Sequence, residues 1–305
     1  MQVEEDMPFA ANPYDALKGL SKYLREFRGK TFVVKLGGEV LDDPDARRKV
    51  VEQLGVLWTL SIRLVIVHGG GKRLDQLCQQ LDLPIEKRNG RRVTTPAVLD
   101  AARMVLAGSV QNELIAELNR VAVPAVGLTG VDAGTVRARK RAPLYLGAEG
   151  GKDELFDFGL VGDIEGIDPK LLLDLTSKDY VPVLAPLTGN REGQVFNTNA
   201  DTVAAHLAAA LGAEKLFFIM GVPGLLRDVN SQSSLVSFAT LAKLEEMEAR
   251  GELSAGMLPK SAAIKHALNH DVQSVHLVSG VQADALLVEI FTNEGAGTML
   301  VREEG

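Results

Sequence analysis

Short apolar runs alternate with amphipathic stretches along most of this chain. The apolar runs, rich in β-branched residues, predict strands at 31–35, 63–68, 125–128, 181–184, 215–220, 274–278 and 297–301. Apolar residues three or four positions apart predict helices at 45–60, 72–81, 96–120, 169–178, 201–211, 240–250 and 257–269. This alternation is typical of an α/β fold, in which a mainly parallel open sheet is sandwiched by helices.

Three segments are predicted to have different roles. Asn12 and Pro13 resemble the start of a helix, and an apolar stripe continues to Phe27, so residues 1–28 form a leading extension. That stripe packs either on the chain's own core or against another subunit, and the sequence leaves both open. Turn-rich sequence at 188–193 suggests a boundary between an N-terminal lobe, residues 29–190, and a C-terminal lobe, residues 191–305. Glycines in 136–168 predict hairpins that cover one end of the sheet.

Composition excludes several classes of function. With 46% hydrophobic residues among 305, the chain can bury a large core, and its net charge of −7 disfavours nucleic acid as a partner. No apolar run reaches the roughly 18 residues of a membrane span, and the acidic start does not resemble a signal peptide, so we expect a cytoplasmic protein. One cysteine, Cys78, and five scattered histidines predict neither a disulfide nor a metal centre.

A dense polar segment precedes the apolar helix predicted at 201–211. Asn197, Asn199 and Asp201 fall within five residues. Burying two amides and a carboxylate is costly unless they hold polar partners. We therefore expect a ligand site here.

Two glycine turns follow neighbouring predicted strands. Gly37 and Gly38 come shortly after Lys35, and 69–71 is a run of three glycines. Carboxyl ends of parallel strands share one edge of a sheet, where glycine turns bring backbone N–H groups close to anions. Neither turn matches the P-loop or the GxGxxG pattern, so a nucleotide here would bind in another way.

Basic residues complete a set suited to phosphoryl transfer. Lys260 lies near a predicted helix start, where its charge opposes the helix dipole unless an anion is close. Arg91 and Arg92 precede another helix start, where a guanidinium can grip a carboxylate. Lys35, Lys260 and Asp201 together provide two positive charges and a carboxylate to orient them, which phosphoryl transfer requires.

Taken in order, these motifs resemble the amino-acid kinase family from residue 30 to residue 301. The resemblance is carried by VKLGG at 34–38, HGGG at 68–71, NGRRVT at 89–94, NTNAD at 197–201, AEKL at 213–216, VPG at 222–224 and Gly256-Met257 with Lys260. Within the family it is similar to the branch that uses ATP to phosphorylate the γ-carboxylate of N-acetyl-L-glutamate in arginine biosynthesis. The expected product is an acyl phosphate.

The resemblance assigns roles to individual residues. Lys35 and Lys260 would neutralise the moving phosphoryl group, and Asp201 would hold both lysines. The acceptor would contact Gly70, Gly71, Arg92 and Asn197. ATP, with Mg²⁺ bridging its phosphates, would lie against Gly37, Gly38, Gly221, Pro223, Gly224, Leu226 and Gly256. The family usually has an aspartate where this chain has Gly221, so one polar contact on the nucleotide side is missing.

Arginine-inhibited members of the family also resemble this chain in their regulatory parts. Residues 12–27 match a helix that interlaces dimers into a hexamer, and His276, Glu289 and Gly295 match an effector site for L-arginine. The resemblance thus implies feedback inhibition and a homo-oligomer, a dimer-based hexamer. Two other functions stay open: a kinase acting on aminoadipate or carrier-bound glutamate, and a nucleotide or arginine sensor with little turnover.

Overall fold

The computed structural model describes residues 13–88, 91–147, 153–228, 231, 234–253 and 256–303. Its strands are β1 (Thr31–Leu36), β2 (Arg63–His68), β3 (Lys87–Arg88), β4 (Arg91–Arg92), β5 (Ala125–Thr129), β6 (Val136–Lys140), β7 (Leu144–Gly147), β8 (Asp153–Phe156), β9 (Gly162–Ile167), β10 (Val181–Ala185), β11 (Leu187–Gly189), β12 (Val195–Asn197), β13 (Lys215–Met220), β14 (Phe238–Thr240), β15 (Ser274–Ser279) and β16 (Thr298–Val301). Its α-helices are α1 (Pro13–Phe27), α2 (Gly38–Asp42), α3 (Pro44–Thr59), α4 (Gly71–Gln80), α5 (Pro96–Met104), α6 (Gln111–Arg120), α7 (Lys170–Ser177), α8 (Ala200–Ala210), α9 (Leu241–Ala249), α10 (Leu258–Asn269) and α11 (Ala285–Phe291).

An eight-stranded sheet forms the centre of the molecule. Its strand order is β14-β16-β15-β13-β1-β2-β10-β5, and its neighbours are parallel except for the antiparallel pair β15 and β16. Each of the seven strands predicted from apolar runs lies in this sheet, and the expected α/β sandwich is confirmed. These strands are recognisable because a parallel sheet covered on both faces makes nearly every strand residue apolar.

The two faces of the sheet are covered by different helices. Alternate residues of a strand point to opposite faces, so Phe32, Val34 and Leu36 join a core with α3, α5 and α6. Val33 belongs to the other core, with α8 and α10. Lys35, two residues after Val33, therefore points to the α8 and α10 face.

Several elements differ from the predictions. The helix expected at 96–120 is interrupted by a π-helical turn, Val105–Val110, so α5 and α6 are separate segments. The short helix α11 was not predicted, because its almost wholly apolar sequence has no amphipathic period. Residues 136–168 form hairpins as expected, apart from 148–152, which lie outside the described residues. The predicted lobe boundary lies in the turn between β11 and β12. The central sheet continues from one predicted lobe into the other, because β1 pairs with β13.

Helix α1 packs its C-terminal end on the chain's own core. Phe27 is buried against Phe32, with ring centroids 5.4 Å apart, and Tyr23 meets Phe291 at 5.8 Å. Residues 1–12, including the predicted cap Asn12, lie outside the described residues. In the part of the chain that is described, no helix has both the length and the apolarity to cross a bilayer.

His68, the last residue of β2, is fully buried, and this predicts a pH-dependent stability. Its Nδ1 lies 2.9 Å from the carbonyl oxygen of Gly69, to which it donates, and burial lowers its pKa from 6.5 to about 4. Between those pH values the unfolded chain binds a proton that the folded chain excludes, so stability falls as pH falls. Between pH 6.5 and pH 4, the free energy of unfolding should fall less in His68→Gln than in the wild type, by up to about 3 kcal/mol.

Urea unfolding at several pH values measures this slope. His270→Gln removes an exposed histidine and serves as the control. A His68→Gln variant that keeps the wild-type slope would show that the pKa of His68 is the same in the folded and the unfolded chain.

Candidate active site

The carboxyl ends of β1 and β2 bring the two glycine turns into contact. The Gly69 amide donates to the Leu36 carbonyl at 2.9 Å. A Cβ atom added to Gly69 would lie 3.3 Å from the Gly38 amide nitrogen, and one added to Gly38 would lie 3.4 Å from that of Gly70. Glycine at these positions therefore allows the two backbones to approach closely.

Helix α8 places Asp201 beside this cradle. The Asn199 side chain caps the helix by accepting a hydrogen bond from the Thr202 amide at 3.0 Å. Asp201 then falls in the first helical turn, where it is 8% exposed. Its Oδ1 forms an ion pair with Lys35 Nζ at 2.8 Å, and its Oδ2 accepts from Lys260 Nζ at 3.0 Å. The three residues predicted to be catalytic thus form one cluster.

The charges in this cluster do not balance. Burial alone would raise the pKa of Asp201, but attraction to Lys35 and Lys260 outweighs it and lowers the pKa to about 2. Burial lowers the pKa of Lys260, whereas Asp201 acts to raise it, and the ammonium lies 4.7 Å from the Phe218 ring centroid. One ionised carboxylate facing two ammonium groups leaves a net positive charge that suits an anionic ligand.

A cleft of about 350 Å³ opens beside the glycine turns. Gly70, Gly71, Arg92 and Asn197, the residues predicted to bind the acceptor, all line it. Arg92 Nη1 forms an ion pair with Asp75 at 2.6 Å, and its Nη2 donates to the Gly71 carbonyl at 3.0 Å. The structure therefore brings these four residues to one cavity.

Three further cations line the cleft: Lys87, Arg91 and Arg141. Arg141 Nε donates to Asp163 at 2.8 Å. Burial, followed by repulsion from Arg141, lowers the pKa of Arg91. Arg91 was predicted near a helix start, whereas Lys87 and Arg141 were not predicted to line the cleft. Strand pairing brings Arg141, directly after β6, to this place. The excess of positive charge favours an acidic small molecule.

Most of the residues predicted to contact the nucleotide lie at the same edge of the sheet. Gly37 and Gly221 flank the side chain of Glu39, and the Gly221 amide donates to Glu39 Oε1 at 3.3 Å. Gly224 packs against Thr298 so closely that an added Cβ would lie 2.5 Å from its Oγ1. Pro223 is half-buried, Leu226 forms an isolated bridge with Leu235, and Gly256 is exposed ahead of Lys260. No metal-binding group of three or more His, Cys, Asp or Glu occurs among the described residues.

The residues predicted for the effector site also meet, near the opposite ends of β13 and β15. Glu289 Oε1 is 2.7 Å from His276 Nδ1, and its Oε2 accepts from the amides of Ala296 and Gly297 at 2.8 Å each. Burial would raise the pKa of Glu289, but the His276 hydrogen bond and these amides lower it. Gly295 lies against the same carboxylate. Lys215, which was not predicted here, places Nζ 3.3 Å from His276 Nε2.

Known proteins resemble the chain over most of its length. A sequence model of the amino acid kinase family matches residues 30–279. Acetylglutamate kinase from Myxococcus xanthus is 58% identical over 298 residues, 97% of each chain, and that from Carboxydothermus hydrogenoformans is 39% identical, over 91% of this chain and 94% of that protein.

Solved structures agree on the fold. N-acetylglutamate synthase from Neisseria gonorrhoeae, complexed with coenzyme A and N-acetyl-glutamate, has a TM-score of 0.81 at 25% identity over 96% of this chain. This chain spans only 64% of that synthase. An isopentenyl phosphate kinase, at 17% identity and a TM-score of 0.58, covers 89% of this chain and shares the fold. On these matches and on the clustered motifs, the chain belongs to the amino-acid kinase family.

Proposed function

We propose that this kinase transfers the γ-phosphoryl group of ATP to the γ-carboxylate of N-acetyl-L-glutamate, in the cytoplasm, as a step of arginine biosynthesis. The observation that carries the proposal is the contact of Asp201 with both Lys35 and Lys260 beside a cationic cleft. The acetylglutamate kinases that are 58% and 39% identical to the chain support this acceptor.

The chemistry needs no general base. The acceptor carboxylate is ionised at neutral pH and attacks the γ-phosphorus, while the bond from that phosphorus to the β,γ-bridging oxygen breaks and ADP leaves. Lys35 and Lys260 neutralise the oxygens of the phosphoryl group in flight. Asp201, whose pKa is about 2, is too weak a base to accept a proton and instead orients the two ammonium groups.

The cleft supplies the acceptor's other contacts. Arg92 clamps the α-carboxylate, Asn197 binds the amide region, and the amides of Gly70 and Gly71 face the reacting end. Arg91 and Arg141 add positive potential that attracts a dianion. This part of the site lies in the proposed acceptor lobe, residues 29–190, and is completed by Asn197 of the proposed nucleotide lobe.

ATP lies at the other end of the lysine pair. Gly37, Gly38, Gly221, Pro223, Gly224, Leu226 and Gly256 form its proposed binding surface. When bound, MgATP supplies the phosphoryl group. Mg²⁺ commonly binds only one or two protein carboxylates, so phosphate oxygens and water would supply most of its ligands. This surface therefore fits Mg²⁺ that arrives with ATP.

Replacing Lys260→Met should abolish most of the activity. Lys260 acts on charge that develops in the transition state, so we expect kcat to fall about 100-fold or more, with a much smaller change in KM for the acceptor. Hydroxylamine converts the acyl phosphate to a hydroxamate, which reports the rate.

Lys265→Met is the matched control, since Lys265 lies on the same helix but pairs with Glu248 at 2.8 Å. Equal losses in both variants would mean that the charge on α10, not the contact with Asp201, matters. No hydroxamate from the wild-type chain with N-acetylglutamate would contradict the proposed function. Aminoadipate and carrier-bound glutamate acceptors in the same assay test the other substrates.

We also propose that L-arginine inhibits the enzyme at His276, Glu289 and Gly295. The Glu289 carboxylate is buried and bonded to His276 and two amides, so it is a fixed partner for a guanidinium. Lys215 lies beside this cluster and also 5.2 Å from the Phe27 ring centroid of α1. Effector binding there would act on the helix proposed to assemble dimers into a hexamer.

Glu289→Gln should raise the arginine concentration for half-inhibition at least tenfold, about 1.4 kcal/mol, because a charge-assisted hydrogen bond is lost. Each variant's rate is normalised to its own rate without arginine, and Glu294→Gln, an exposed neighbour, is the control. Inhibition unchanged in Glu289→Gln would refute this effector site.

The hexamer is tested on the same protein. Deleting residues 1–20 leaves Tyr23 and the buried Phe27 in place and should yield dimers by analytical ultracentrifugation. A hexamer without those residues would show that the leading helix does not join dimers.

A further inference from the structure

Glu39 occupies a gap between the ends of two central strands. It is the second residue of α2, directly after the Gly37-Gly38 turn. A Cβ atom on Gly37 would lie 2.6 Å from Glu39 Oε1, and one on Gly221 would lie 3.2 Å from Glu39 Cγ. Glu39 is exposed, and its side chain lies against both glycines.

The Glu39 carboxylate is held but not neutralised. Its Oε1 accepts a hydrogen bond from the Gly221 amide at 3.3 Å. Among the residues that the structure describes, none forms a hydrogen bond with Oε2 or an ion pair with the carboxylate. Lys35 and Lys260, the nearby cations of the site, are bound to Asp201. Burial lowers the pKa of Lys260, and the charge of Glu39 is close enough to act against that shift. The Glu39 carboxylate thus lies at the rim of the lysine pair.

A carboxylate at this place conflicts with the phosphates of ATP unless a cation lies between them. Like charges repel, and the proposed nucleotide surface includes both glycines that flank Glu39. Mg²⁺ resolves such a conflict, because it binds phosphate oxygens together with one or two carboxylates and keeps several waters. The oxygen-only donor of Glu39 suits this hard ion.

We propose that Glu39 contributes a carboxylate oxygen to the coordination of the Mg²⁺ that accompanies ATP, with the Gly221 amide holding the side chain in place. This inference rests on the proposed function, since it takes ATP as the nucleotide. It gives the Gly221 amide a role, which is to hold a carboxylate supplied from α2.

Isothermal titration of ATP with Mg²⁺, and again with EDTA, tests the inference without turnover. In Glu39→Gln the affinity for MgATP should fall about tenfold, as expected when a metal loses a protein partner. The affinity for metal-free ATP should stay equal or rise, because a repelling charge is gone. Asp45→Asn removes an exposed carboxylate six positions away and should change neither affinity.

Two other outcomes would overturn the inference. If both affinities fall together, Glu39 only supports the loop at Gly221. If both rise together, it only repels phosphates. The hydroxamate assay on the wild-type chain distinguishes a failure of the Glu39 inference from a failure of the proposed function. A wild-type chain that forms hydroxamate shows that the function stands, whatever the Glu39 variant does, whereas one that binds no ATP contradicts both.

Discussion

A single buried carboxylate contacts two ammonium groups in this molecule, and the rest of the site is arranged around that contact. Asp201 is 8% exposed and Lys260 7% exposed, so each would be costly to bury alone. Because Asp201 can offset only one of its two partners, the cluster keeps a positive charge directed at the glycine turns. In the proposed reaction, this excess of positive charge stabilises the phosphoryl group that is transferred.

The sheet order produces this contact. β1 lies between β13 and β2, so Lys35 points from the middle of the sheet toward α8 and α10, whose first turns carry Asp201 and Lys260. The carboxyl ends of these strands present the glycine turns and Glu39 at one edge. Near the amino ends of β13 and β15, Lys215 and His276 form the second cluster with Glu289. Lys215 also contacts Phe27 of α1. The proposed catalytic and regulatory sites therefore share strand β13, which carries Lys215 at its start and is followed by Gly221.

The sequence predicts the strands well and the side-chain contacts only in part. Fully buried parallel strands such as β2 and β13 are continuous apolar runs, and the Asn199 cap follows from local chemistry. The pairing of Asp201 with Lys260, 59 residues away, has no local signal. It was expected from the chemistry that phosphoryl transfer requires and from the family resemblance. Strand pairing brings Arg141 to the cleft, and Glu39 contacts Gly221, which is 182 residues away in the sequence. Neither contact produces a periodic pattern from which it could be predicted.

The central claim, that Asp201 keeps Lys260 charged and directed at the phosphoryl group, is tested most directly by the pH dependence of kcat in Asp201→Asn. Burial lowers the pKa of Lys260 and Asp201 opposes that shift. Without the carboxylate, Lys260 should lose its proton at lower pH, and kcat should fall as that proton is lost. The account predicts a lower kcat whose alkaline limb moves to lower pH. A variant that keeps the wild-type kcat and alkaline limb would contradict it.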